Sequence, residues 1–169
     1  MERAGTRDRA FTEYVVGRRQ RLVRTATLLT AGDRHLAEDL VQGALTRLYV
    51  AWPRVRAEGR DAYLYRTLAN LLIDEKRRGR WLARDVEPPH RAVVDGSGSA
   101  EHDAVREALG RLPAGMRAAV VLRYWCDLDV EATARALGCS TGNVKSQTAR
   151  GIERLRGLIG SRTSTWEMT

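Results

Sequence analysis

Three residues near the C-terminal end, Gly138-Cys139-Ser140, restrict the fold more than any other part of the chain. Before them, DVEATARALG begins with a capping aspartate, Asp129, and stops at Gly138, the residue type that closes helices in a left-handed conformation. After them, TGNVKSQTARGIERLRGLI is capped by Ser140 and carries a helical period. A helix, a turn this short and a second helix give helix-turn-helix spacing. With Val144 at the centre of one face of the second helix, steps of about 100° place Thr148, Gly151, Ile152 and Leu155 within about 80° of it. Opposite lie Gly142, Ser146, Ala149, Arg150 and Glu153, flanked by Lys145 and Gln147. One face is fit to pack. The other offers small residues and hydrogen-bond donors where a surface helix would mix Glu and Lys.

Such a face suits DNA. Small side chains at 142, 146 and 149 allow close approach to base edges in the major groove. Lys145 and Arg150 can donate to guanine or phosphate, and Asn143, Ser146 and Gln147 can donate or accept. The competing reading is an ordinary amphipathic helix in a small bundle. Net charge favours the first: 29 Lys and Arg against 21 Asp and Glu leave a formal +8, which suggests a polyanionic partner.

The remainder predicts an all-α protein of two small helical domains. A first helix runs from about Arg9 to Leu29, with Gly32 closing it and Asp33 capping the next. The second carries Leu36, Leu40, Ala44, Leu48 and Ala51 on one side, until Pro53 stops it. The third is capped by Asp61 and aligns Leu64, Leu68, Leu71, Leu72 and Glu75. From Asp85 the period fails in a stretch with Pro88, Pro89 and a Gly/Ser run, which reads as a flexible acidic linker. Two short helices broken at Leu112-Pro113 precede the helix-turn-helix. The expected layout is 1–84, a linker over 85–100, a helix-turn-helix domain over 101–160, and a disordered tail over 161–169.

Two further sites carry chemistry. The third helix presents Arg66, Asn70, Asp74, Arg77 and Arg78 as a polar stripe that runs on into Arg80, Trp81 and Arg84. Arginine clamps phosphates, asparagine can read a base edge, and Tyr65 or Trp81 could stack on an unpaired base. A solvated helix face with cations at its C-terminal end is the plainer alternative. On the second helix Glu38, Asp39 and Gln42 form an acidic edge beside Leu40 and Val41. Paired carboxylates could hold Mg²⁺, with Asp74 the one further candidate ligand, or the edge could dock on a basic partner. No catalytic triad, phosphate loop or HExxH occurs, so no catalytic residue, metal or cofactor is expected. Cys126 and Cys139 lack metal-ligand or disulfide spacing and read as reduced thiols. No signal core or membrane span is visible, which predicts a cytoplasmic protein without membrane contact.

The order AEDLVQGALTRLYVAW, DAYLYRTLANLLIDEKRRGR, a linker, then LGRLPAGMRAAVVLRYWCDLDVEATARALGCSTGNVKSQTARGIERLR resembles the extracytoplasmic-function (group IV) sigma factors of bacterial RNA polymerase, in their actinobacterial form. The resemblance covers about residues 8–158. It implies a non-enzymatic subunit that binds core polymerase through the β′ clamp helices and the β flap and directs initiation at promoters. Glu38, Asp39, Leu40 and Gln42 would belong to the core-binding edge. Tyr65, Arg66, Asn70, Asp74, Arg77 and Arg78 would recognise and help to melt the −10 element, with a flipped base captured by the loop Arg54 to Arg60. Lys145, Ser146, Ala149 and Arg150 would read the −35 element, with Thr141, Asn143 and Gln147 nearer the backbone. The acidic linker would thread the polymerase's RNA path. A free monomer and an anti-sigma partner are usual in the family. In the resemblance, Thr133 and Thr148 stand where aliphatic core residues are common, and each could bond its hydroxyl one turn back. A helix-turn-helix regulator binding duplex DNA alone is the rival reading; it needs neither the edge at 37–42 nor the arginine stripe.

Overall fold

The computed structural model describes residues 2–77 and 100–166. All regular structure among them is helical: α1 (Glu2–Leu29), α2 (Arg34–Ala51), α3 (Arg60–Arg77), α4 (Ala100–Gly110), α5 (Ala114–Val120), α6 (Val130–Leu137) and α7 (Thr141–Trp166). A short 3₁₀ turn, Ala57–Gly59, precedes α3, and a wide π turn, Val121–Trp125, follows α5.

The caps act where the sequence places them. Asp33 accepts from the Leu36 amide at 3.0 Å, and Gly32 closes α1 by donating to the Thr27 carbonyl at 2.9 Å. Asp129 accepts from Ala132 at 2.6 Å, and Gly138 turns the chain at φ 62°, a conformation that costs a side-chain-bearing residue but not glycine. Ser140 accepts from the Asn143 amide at 3.1 Å. Asp61 differs. It lies inside the first turn of α3, and its carboxylate accepts from Tyr14 and, at 2.7 Å, from Arg18, so it ties α3 to α1 instead of capping. Two boundaries also shift: α1 begins at Glu2, and α7 continues to Trp166 through much of the expected tail.

The predicted apolar stripes are buried. Leu36, Leu40, Ala44 and Leu48 of α2 meet Leu64, Leu68 and Leu72 of α3 in one core with Leu22, Ala26 and Leu29 of α1. That core is continuous with the second half, through Leu112, Met116, Ala118, Leu122 and Leu155. The two halves therefore pack against each other, with α6 against α3 and with α5 and the π turn against α1. This is why α3 is buried over a wider arc than its Leu stripe predicts, with Tyr65 and Ala69 also covered.

Candidate nucleic-acid interface

The helix-turn-helix is built as its residue pattern requires. Val144 and Leu155 are buried, while Gly142, Lys145, Ser146, Ala149, Arg150 and Glu153 are exposed. Gly151 allows the approach of α5: a Cβ there would lie 2.7 Å from Cγ2 of Val120 and 3.4 Å from the Met116 carbonyl. Arg150 donates to Ser146 Oγ at 2.9 Å, which fixes its guanidinium over the exposed face. Thr141 is exposed at the helix start. Asn143 is exposed and Gln147 half-buried; both border the pocket between the halves, with the Gln147 amide beside Gly115. Thr133 donates its hydroxyl to Asp129 O at 2.8 Å as expected, whereas Thr148 Oγ1 is buried without a hydrogen-bond partner.

On α3, Arg66 and Arg77 are exposed and Asn70 and Asp74 half-buried. Arg78 lies outside the described residues, as do Arg80, Trp81, Arg84 and the linker at 85–99. Tyr65 is a correction: at 7% exposure it belongs to the core and offers no ring to an unpaired base in this form. Leu40 is another. At 3% exposure it supports the α2 edge from beneath, leaving Glu38, Asp39 and Gln42 as the exposed edge. Glu38 is met by Arg19 of α1 at 2.7 Å. No three His, Cys, Asp or Glu side chains converge as a metal site among the described residues. No described helix is long and apolar enough to cross a membrane.

One cluster is assembled only by the fold. Phe11, Tyr14, Tyr49 and Trp52 pack edge to face with centroids 5.0–5.3 Å apart. Arg60, the last residue of the loop, stacks on Trp52 at 3.5 Å, and Arg18 stacks on Tyr14 at 4.2 Å. Burial pushes the Asp61 carboxyl upward, but the Tyr14 and Arg18 bonds outweigh it and hold it below the usual carboxylate range. Aromatics at 11, 14, 49 and 52 recur near helical spacing, the one signal that could have grouped them. The cluster anchors the loop 54–60 and the start of α3.

A helix-turn-helix with an open, donor-rich face, packed beside a second helical unit with a cationic stripe, defines a two-part DNA-recognition protein. Residues 15–82 match the family description "Sigma-70 region 2", and residues 102–155 match "Sigma-70, region 4". The RNA polymerase sigma-E factor of Streptomyces avermitilis is 40% identical over 161 residues, covering 90% of this chain and 86% of that protein. The ECF RNA polymerase sigma factor SigM of Mycobacterium tuberculosis is 31% identical over 159 residues, covering 90% and 79%. A solved structure of the sigma factor RpoE in complex with the anti-sigma factor NepR, from Bartonella quintana, superposes with a TM-score of 0.73 at 26% identity, covering 89% of this chain and 97% of that one. The chain belongs to the sigma-70 family, as an actinobacterial extracytoplasmic-function sigma factor. It acts in promoter-specific initiation of transcription.

Proposed function

We propose a division of labour among three helices. The exposed α2 edge, Glu38, Asp39 and Gln42 over Leu40, docks on the β′ clamp helices of core polymerase. The α3 stripe, Arg66, Asn70, Asp74, Arg77 and Arg78, engages and helps to melt the −10 element, with the 54–60 loop beside it. The start of α7 reads the −35 element, with Lys145, Ser146, Ala149 and Arg150 toward the bases and Thr141 at the backbone. Asn143 and Gln147 join them nearer the backbone. The observation carrying this reading is the split of α7: a buried Val144 side, and an exposed opposite side of small residues and donors. Ala149 leaves one reading position without a hydrogen-bonding group, so selection falls on Lys145, Ser146 and Arg150. Phosphate contacts supply salt-sensitive affinity, and few base contacts at each element supply selection. Polymerase holds the halves apart and links their affinities through effective concentration. The chain works in the cytoplasm with polymerase and promoter DNA, needs no cofactor and catalyses no reaction itself; an anti-sigma protein is a fitting further partner.

The test is gel filtration with sigma-free core polymerase. Wild-type chain should co-elute, and Asp39→Lys combined with Gln42→Lys, both on exposed positions, should abolish co-elution while the thermal melt stays unchanged. Unaltered co-elution of a folded double variant would refute the docking assignment.

A further inference from the structure

The two ends of the loop that precedes α3 meet at one stacked pair. Trp52, 6% exposed, caps the end of α2, and Arg60 is the first residue of α3. The Arg60 guanidinium lies over the Trp52 ring, with Cζ 3.5 Å from the centroid, and 5.9 Å from the centroid of Tyr14. Phe11 and Tyr14 meet Trp52 edge to face at 5.2 and 5.3 Å, which fixes the ring that Arg60 stacks on. The next residue, Asp61, is bound by Tyr14 and Arg18, so positions 60 and 61 tie the start of α3 to the end of α2 and to α1. Arg60 Nε is buried without a hydrogen-bond partner. A buried donor left unsatisfied opposes folding, and here the stack supplies what the missing hydrogen bond does not.

Between these ends the loop is pinned by its backbone and by one apolar side chain. Arg54 and Val55 donate their amides to the Ala51 carbonyl at 2.8 and 3.1 Å, and Gly59 donates to Arg56 O at 3.0 Å. Val55 is half-buried against the core, while Arg54 and Arg56 on either side of it are exposed. Arg56 meets Glu58 at 3.9 Å with both side chains largely exposed, a pairing worth little in water. We propose that Arg60 is a positioning residue. Stacked on Trp52, it clasps the loop so that Arg54 and Arg56 hold phosphates of the unpaired −10 strand, in line with the α3 stripe. The proposal rests on the reading of α3 as the helix that engages the −10 element. Arg66, the first cation of that stripe, lies about 9 Å along the axis from Arg60, so one strand can cross both loop and stripe. Arg60 does not itself touch the strand, because its stacked face and its Nε are turned into the fold.

The clasp matters because order is costly at the moment of binding. Each long arginine side chain that settles on a phosphate loses rotamer freedom, and a loop free at one end loses backbone freedom as well. Fixing the loop ends before the strand arrives removes the second loss from binding. A guanidinium suits this use, since it stacks flat on an indole face and stays charged when partly buried.

Salt dependence separates positioning from contact. Holoenzyme of core polymerase and the full chain is titrated, at several salt concentrations, with a fluorescent single strand carrying the −10 element of a promoter mapped from its own transcripts. Arg54→Ala with Arg56→Ala should weaken binding about tenfold and lower the salt slope by about 1.4, two single-strand phosphates at about 0.7 each. Arg60→Ala alone should weaken binding at least about threefold and lower the slope, although it removes no phosphate contact of its own. Added to the double variant, Arg60→Ala should cost nothing further. A further drop in slope of about 0.7 in that triple variant would make Arg60 a direct phosphate contact and overturn the positioning role. Unchanged binding by Arg60→Ala would also overturn it, as would a smaller active fraction with an unchanged slope, the mark of a merely structural residue. Arg60→Gln is the second variant, should Arg60→Ala fail to co-elute with core polymerase. Arg66→Ala tests the reading beneath. If it leaves strand binding unchanged, the −10 assignment of α3 has failed and the clasp falls with it. If Arg66→Ala weakens binding and Arg54→Ala with Arg56→Ala does not, the loop proposal alone is overturned.

Discussion

Gly151→Ala and Gly157→Ala place the same methyl group on the same helix, and their effects should have opposite signs. At Gly157 nothing lies within 4 Å of an added Cβ, so Ala brings only its helix propensity, about 0.8–1.0 kcal/mol of stabilisation. At Gly151 the added atom would lie 2.7 Å from Val120 Cγ2. Carbon pairs prefer about 3.5–4.0 Å, so one partner must move by roughly 1 Å. Val120 cannot swing aside easily, because a β-branched residue in a helix has one favoured rotamer. Sliding α7 along α5 is opposed by the Met116 carbonyl at 3.4 Å and Met116 Cβ at 3.5 Å. Overpacking of this kind costs about 1–3 kcal/mol, which leaves Gly151→Ala destabilising by up to about 2 kcal/mol after the propensity gain. The two variants should differ by about 1–3 kcal/mol, and each 1 kcal/mol moves Tm by roughly 2–4 °C in a chain of this size. Thermal denaturation followed by circular dichroism measures this. Equal stabilisation by both substitutions would refute the close α5–α7 contact that positions the reading face.

Thr148→Val should stabilise by about 1 kcal/mol, because it removes a buried hydroxyl that has no partner and keeps the shape; a lowered Tm would show that the hydroxyl is satisfied. Asp61 carries a lowered carboxyl pKa, so its contribution is present above the ordinary value of 3.8 and is lost as pH falls through the lowered one. Asp61→Asn should therefore flatten the loss of stability below about pH 4, as measured by urea melts across pH. Arg150→Ala should cost about 1–3 kcal/mol in open-promoter formation and relax preference at one −35 position. A uniform loss on all sequences would make Arg150 a phosphate contact instead.

Most of the helix order and both faces of α7 were legible in the sequence because they rest on local physics. Asp33, Asp129, Gly138 and Ser140 act within one turn of their own positions, and the Leu stripe of α2 follows helical period alone. Long-range pairing was not legible. Asp61 looks like a cap until Tyr14 and Arg18, more than forty residues away, claim its carboxylate. Tyr65 reads as a stacking residue because it flanks a polar stripe, and only tertiary packing shows it covered, whereas the burial of Leu40 already follows from its place in the α2 stripe. The seam between the halves was invisible for the same reason. Arg117 donates to the Leu29 carbonyl and Trp125 to Thr25 Oγ1, partners 88 and 100 residues away in sequence that no local pattern indicates.

The central claim is that one chain, held on polymerase, reads two separated DNA elements with α3 and α7. The most direct measurement is in vitro transcription of fragmented genomic DNA by core polymerase plus this chain, with every transcript start mapped. The starts should share two sequence elements, near −35 and near −10. Lys145→Ala and Arg150→Ala should alter the upstream element alone, and Asn70→Ala and Arg66→Ala the downstream element alone. Starts without a shared upstream element, or substitutions in α7 that alter the downstream one, would contradict it.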